Sequence, residues 1–96
     1  MMDAASGDEW FVYIVRCADS TLYTGITKDV VKRVEDHNNN NASGAKYTRA
    51  RRPVRLVYQE TCGSHSNAAR REYEIKQLSR VQKEALLSAA VSLAAH

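Results

Sequence analysis

The chain has 96 residues, 44% of them apolar and 26% charged, and a formal net charge of +3 from 14 basic against 11 acidic side chains. That length supports one small domain with one core. No apolar run approaches the roughly 20 residues of a membrane-spanning helix, so no membrane role is expected.

Residues 1–9, "MMDAASGDE", are polar and acidic. They read as a flexible leader, not as a signal or transit peptide. A single domain is expected over residues 10–87, with the end of a C-terminal helix and a tail over 88–96. "WFVYIVRC" (Trp10 to Cys17) and "LYTGI" (from Leu22) are rich in β-branched and aromatic residues, which predicts two strands. The four residues "ADST" between them fit a hairpin connection, so the strands should be antiparallel neighbours.

The period then changes. In "KDVVKRVEDHN", Val30, Val31 and Val34 recur at helical spacing, with Thr27 or Asp29 able to cap the N-terminus. "NNNNASG" follows as a polar loop without an apolar anchor, expected to be the most mobile internal segment. "VRLVYQET" (Val54 to Thr61) returns to the strand pattern after Pro53. "SHSNAARREYEIKQL" predicts a helix opened by Ser64 or Ser66. "SRVQKEALLSAAVSLAAH" predicts a second, with Ser79 and Gln82 spaced as a capping box and an apolar face of Leu86, Ala89, Ala90 and Leu93.

Cys17 and Cys62 have neither CxxC nor zinc spacing, and with no signal peptide they read as reduced thiols of a cytoplasmic protein. Cys17, at a strand end, reads as a small apolar residue. The block "KYTRARRPVR" carries Lys46, Arg49, Arg51, Arg52 and Arg55 and no acid. It is either a solvated basic loop or a surface for polyanions, of which nucleic-acid phosphates are the usual ones.

Individually, the candidate functional residues have ordinary explanations. Glu72 falls in a stripe of Ala68, Glu72, Ile75 and Leu78 or Ser79, where a carboxylate is costly unless paired, hydrogen-bonded or on a metal. Drawn through Ala69, Tyr73 and Lys76 instead, the stripe leaves Glu72 at a boundary, paired with a nearby Arg. Arg33 and His37 are four apart on one helix face, which is usually just a polar face. Tyr13 and Tyr23 are central strand positions, where tyrosine is normally packing with one hydrogen bond. Gly25 removes a side chain from the second strand, a sign of close approach by a ligand or by backbone.

Taken in order, the same residues match a family. "FVY" ending at Tyr13, "YTG" from Tyr23, Arg33 ten and His37 fourteen residues after Tyr23, "AKYT" (Ala45 to Thr48) and "REYEIKQLSR" (Arg71 to Arg80) resemble the GIY-YIG nuclease superfamily and its small single-domain bacterial members. The resemblance covers about residues 10–87. Phe11 stands where the first motif's name has Gly, and no Asn-type residue follows Glu72 as in several nuclease branches.

The resemblance implies an α+β fold, a small three-stranded antiparallel sheet flanked by helices. It implies a metal-dependent endonuclease of low sequence specificity, or else a catalytically weak nucleic-acid-binding module on the same fold. The roles it implies are catalytic for Tyr13, Tyr23, Arg33, His37 and Glu72, and structural for Gly25. Glu72 would hold a single Mg²⁺ or Mn²⁺. Lys46, Tyr47, Thr48, Arg49, Arg51 and Arg52 would contact nucleic acid, with DNA as the partner. A cytoplasmic or nucleoid-associated monomer or weak homodimer with a part in DNA repair or processing is the expectation that follows.

Overall fold

The structure, a computed structural model, describes residues 9–94, with side chains through Ala89. The leader before Glu9 and the tail after Ala94 lie outside the described residues. The elements in chain order are β1 (Trp10–Arg16), β2 (Leu22–Thr27), α1 (Val30–Asn39), α2 (Lys46–Arg49), β3 (Arg55–Gly63), α3 (His65–Lys76) and α4 (Arg80–Ala94). The fold is α+β: one antiparallel sheet in the order β2-β1-β3, flanked by helices. No described helix is long and apolar enough to cross a membrane.

β1 is the central strand, which explains why its sequence is a continuous apolar run. It packs on both faces, and the strand period of two divides its side chains between them. Tyr13 and Val15 point to a core with Cys17, Val30 and Val54, bordered by Phe11, Tyr23 and Val34. Val12 and Ile14 point to a second core with Ile75 and Leu87, bordered by Leu22, Ile26, Val57 and Leu86. Cys17 is buried in the first core as a small apolar residue, and both cysteines are free thiols.

Local chemistry sets the ends of the elements. Asp29 caps α1 by accepting from the Lys32 amide, while Thr27 Oγ1 accepts from the Asp29 amide. Ser64 caps α3 by accepting from the Asn67 amide. The Ser79–Gln82 box closes in both directions, at 2.9 and 3.1 Å. α4 is held to the sheet by Arg16, whose guanidinium grips both carboxylate oxygens of Glu84 at 2.8 and 3.1 Å. Arg80 adds a further bond to Glu84 at 2.9 Å.

Three expectations need correction. Val31 is exposed, so α1 packs through Val30 and Val34. α4 seats Leu87 in the core and leaves Ala89 exposed; the side chains of Ala90 and Leu93 lie outside the described residues. "KYTR" is a short helix, α2, and not part of a loop. Asn38, from the asparagine-rich stretch, accepts from the Val54 amide at 2.7 Å and donates to the Val54 carbonyl at 2.9 Å. It thereby docks the end of α1 against the lead-in to β3.

Candidate active site

The site grows from one face of the β1–β2 hairpin. Tyr13 and Gly25 are direct cross-strand partners. A Cβ built on Gly25 would fall 2.6 Å from Tyr13 Oη and 2.8 Å from Cζ. Gly25 is therefore required by the Tyr13 ring, which crosses the space a side chain would fill. The close approach expected at this glycine is made by a neighbouring side chain.

Tyr13 is 1% exposed, and its Oη lies 2.7 Å from His37 Nε2 on α1. The other ring nitrogen of His37, Nδ1, lies 2.8 Å from Thr48 Oγ1 on α2. His37 and Thr48 are both 0% exposed. Tyr23 meets the His37 ring edge-on, with centroids 5.3 Å apart, and its other neighbour is Tyr47, stacked at 5.8 Å. Helical spacing put Arg33 and His37 on one face, but that face is not solvated. It is the face of α1 that closes over the tyrosines.

Burial dominates the electrostatics. It pushes the Tyr13 phenol up to about 12, against the pull of the Arg33 guanidinium beside it; the charges of Tyr23 and Glu72 add to the rise. Burial, helped by the positive charges of Arg33 and Arg52, holds His37 down to about 4. At neutral pH the pair is therefore a phenol and a neutral imidazole. Arg33 donates through Nη1 to the Ser43 carbonyl at 2.5 Å, in the loop between α1 and α2.

Glu72 comes from α3. Ala68 and Ile75, on either side of it in the stripe, are fully buried, whereas Tyr73 is exposed. The first of the two stripes is the packed one, and Glu72 stands in it with its side chain 24% exposed. Its partner is Lys76 at 3.1 Å, one helical turn on, and not an arginine. Its carboxylate is near enough for its charge to act on the Tyr13 phenol. Direct contacts thus join Tyr13, Tyr23 and His37, while Arg33 and Glu72 reach Tyr13 through their charges.

The basic segment divides. Lys46, Tyr47 and Arg49 are exposed. Arg49 donates to the Asn41 carbonyl at 2.8 Å. Arg51 lies over the Tyr47 ring, 4.0 Å from its centroid, and bonds Asp19 and the Tyr47 carbonyl. Arg52 donates to the His37 carbonyl at 2.5 Å and to Asn41 Oδ1 at 2.8 Å. Thr48 and Arg52 therefore do not offer a nucleic-acid surface as expected: one is fully buried, and the other spends donors on the end of α1. The loop that holds Arg33 is the "NNNNASG" stretch, which the sequence marked only as a mobile polar loop and not as part of the site. Its one signal was Gly44, where a Cβ would lie 2.7 Å from both the Asp36 and the Asn40 carbonyls.

The geometry agrees with what comparison with known proteins finds. Residues 9–85 match the family model described as the GIY-YIG catalytic domain. A UPF0213 protein of Desulfotalea psychrophila is 60% identical over 80 residues, covering 83% of this chain and 72% of the relative. A UPF0213 protein of Staphylococcus saprophyticus is 54% identical over 81 residues, covering 84% of this chain and 96% of the relative. The solution NMR structure of a UPF0213 protein from Bacillus halodurans superposes with a TM-score of 0.55 at 47% identity, covering 84% of each chain. On that match and those identities, the chain belongs to the GIY-YIG family, among its small UPF0213 relatives.

Proposed function

We propose that this protein is a metal-dependent endonuclease that hydrolyses phosphodiester bonds in DNA with low sequence specificity. The observation that carries this reading is the convergence of two tyrosines, a histidine and an arginine from β1, β2 and α1, with the Glu72 carboxylate close enough to act on Tyr13. A packing role for Tyr13 would need neither a histidine on its hydroxyl nor a guanidinium beside it.

Glu72 fits a divalent metal. It is a hard oxygen donor, half-buried in an apolar stripe and held only by a lysine on the same helix. Among the described residues no three His, Cys, Asp or Glu side chains converge, so Glu72 would be a lone protein carboxylate. That suits Mg²⁺ or Mn²⁺, because Mg²⁺ keeps several of its waters. Bound there, the ion would supply positive charge that polarises the phosphate and lowers the cost of moving the Tyr13 proton.

The chain's own groups do the rest. Arg33 presents a fork of donors to the phosphate, whose oxygens would replace the Ser43 carbonyl as its acceptor. The water oxygen then forms a bond to phosphorus as the bond to the leaving oxygen breaks, and the leaving oxygen takes a proton from solvent. Tyr13 Oη takes the water's proton as its own passes to His37 Nε2. Tyr23 packs on the His37 ring and borders the reacting atoms. Lys46 and Arg49 are the exposed cations placed to hold backbone phosphates without reading bases. The setting proposed is a monomer or weak homodimer in the cytoplasm, near the nucleoid, acting in DNA repair or processing.

The test is cleavage of supercoiled plasmid and of labelled single-stranded DNA with Mg²⁺, Mn²⁺ or chelator, beside Glu72→Ala. Cleavage that requires metal and is lost in Glu72→Ala supports the reading. Removing a partly exposed pair with Lys76 costs the fold about 1 kcal/mol or less, so the variant remains folded. Salt-sensitive DNA binding without cleavage would instead favour a binding module.

A further inference from the structure

The proton positions around His37 follow from the heavy atoms. Thr48 Oγ1 lies 3.0 Å from the Ala45 carbonyl and 2.8 Å from His37 Nδ1. A hydroxyl has one proton, and a carbonyl oxygen only accepts. The Thr48 proton therefore goes to Ala45, and Thr48 Oγ1 is left to accept from Nδ1–H. Neutral His37 then has a bare Nε2, and the Tyr13 hydroxyl donates to it across 2.7 Å. The chain runs one way, from Tyr13 through His37 and Thr48 to the Ala45 carbonyl.

Local structure makes this arrangement. Ala45 is the N-cap residue of α2, and Thr48 bonds back to it across three residues, a habit of threonine in helices. That bond orients the hydroxyl, so its lone pairs face the histidine. Tyr13, His37 and Thr48 are all but completely buried, and an unmade bond among them carries the desolvation penalty of its polar atom. The groups facing His37 are Arg33 and Asp36 from α1, Arg52 from the segment before β3, Tyr13 from β1 and Tyr23 from β2.

We propose that Thr48 is a positioning residue: by accepting the Nδ1 proton it holds His37 in the tautomer whose Nε2 takes the proton of Tyr13. Its catalytic consequence rests on the nuclease reading; the tautomer itself does not. The same principle operates wherever a hydrogen bond to one imidazole nitrogen decides what the other can do.

The experiment uses the full chain with ¹⁵N-labelled histidine rings at pH 7, as wild type, Thr48→Ser and Thr48→Val. Wild type and Thr48→Ser should show His37 protonated at Nδ1 and bare at Nε2. Thr48→Val keeps the shape and removes the acceptor, so its His37 should shift toward Nε2–H or a mixture. A wild-type proton on Nε2, or an unchanged tautomer in Thr48→Val, overturns the proposal. Should Thr48→Val not fold, Thr48→Ala is read the same way.

Cleavage gives the second readout. Thr48→Val should lower kcat by about 100-fold with KM nearly unchanged, between the usual cost of losing an outer hydrogen-bond partner and that of a wrong tautomer, and Thr48→Ser should restore it. Equal kcat in Thr48→Val overturns the catalytic half. A wild type that cuts no DNA counts against the nuclease reading alone, because the ring spectrum still decides the tautomer.

Discussion

Gly25→Ala tests the site at its tightest point. The added Cβ would sit 2.6 Å from Tyr13 Oη, 2.8 Å from Cζ and 3.0 Å from Cε1. The ring must back away until these contacts reach the ordinary 3.4–4 Å. It is not free to do so, because its hydroxyl is bonded to His37 and its body packs against Val15, Cys17 and Val30. Overpacking of this kind costs about 1–3 kcal/mol. Losing the buried Tyr13–His37 bond adds about 1–3 kcal/mol. The smaller conformational freedom of alanine in the unfolded chain returns about 0.4–1 kcal/mol. The net expectation is a loss of about 3 kcal/mol, a large part of the stability of so small a domain. Urea denaturation should show a lower midpoint with an unchanged slope. In the Tyr13→Phe background the nearest atom is gone, though Cζ remains, so the same substitution should cost less, by about 1 kcal/mol of coupling. Gly25→Ala as stable as wild type, or strictly additive with Tyr13→Phe, would refute the claim that the ring requires this glycine.

Two further expectations concern pH and docking. His37 is depressed from 6.5 to about 4, so the unfolded chain binds more protons between those values; stability is complete above the window and falls as pH drops through it. The depression corresponds to about 3 kcal/mol, at 1.36 kcal/mol for each tenfold change in proton affinity. Denaturation midpoints that stay flat from pH 6.5 down to about 4 would sink this account. Glu84 is lowered from 4.5 to about 2, first by its bond to Arg16, so the docking of α4 is complete above 4.5 and lost as pH falls toward 2. Glu84→Gln should mimic the acid state at pH 7 and speed hydrogen exchange in α4 while the sheet stays protected. Equal protection of α4 in that variant would show that Leu87 packing alone holds the helix.

The sequence by itself determined what depends on near neighbours in the chain. The strand runs of β1 and β2 and the Ser79–Gln82 box appear where composition and spacing put them, β3 lies within two residues of its expected ends, and the caps at Asp29 and Ser64 are each one of the two residues the sequence offered. Each rests on period or on a side chain reaching a backbone group a few residues away. The ordered spacing of Tyr13, Tyr23, Arg33, His37 and Glu72 was also legible, and with it the family. Tertiary structure decided what those residues touch. A helix face with Arg33 and His37 looks solvated until β1 and α2 close on it. Thr48 looks like one more polar residue in a basic block until α2 turns its hydroxyl toward a histidine 11 positions away. Gly25 looks like room for a ligand or for backbone until the cross-strand register lays the Tyr13 ring there. The physical reason is common to all three. Burial and hydrogen-bond partnership are set by segments distant in the chain, and no local pattern carries the identity of the group that will arrive.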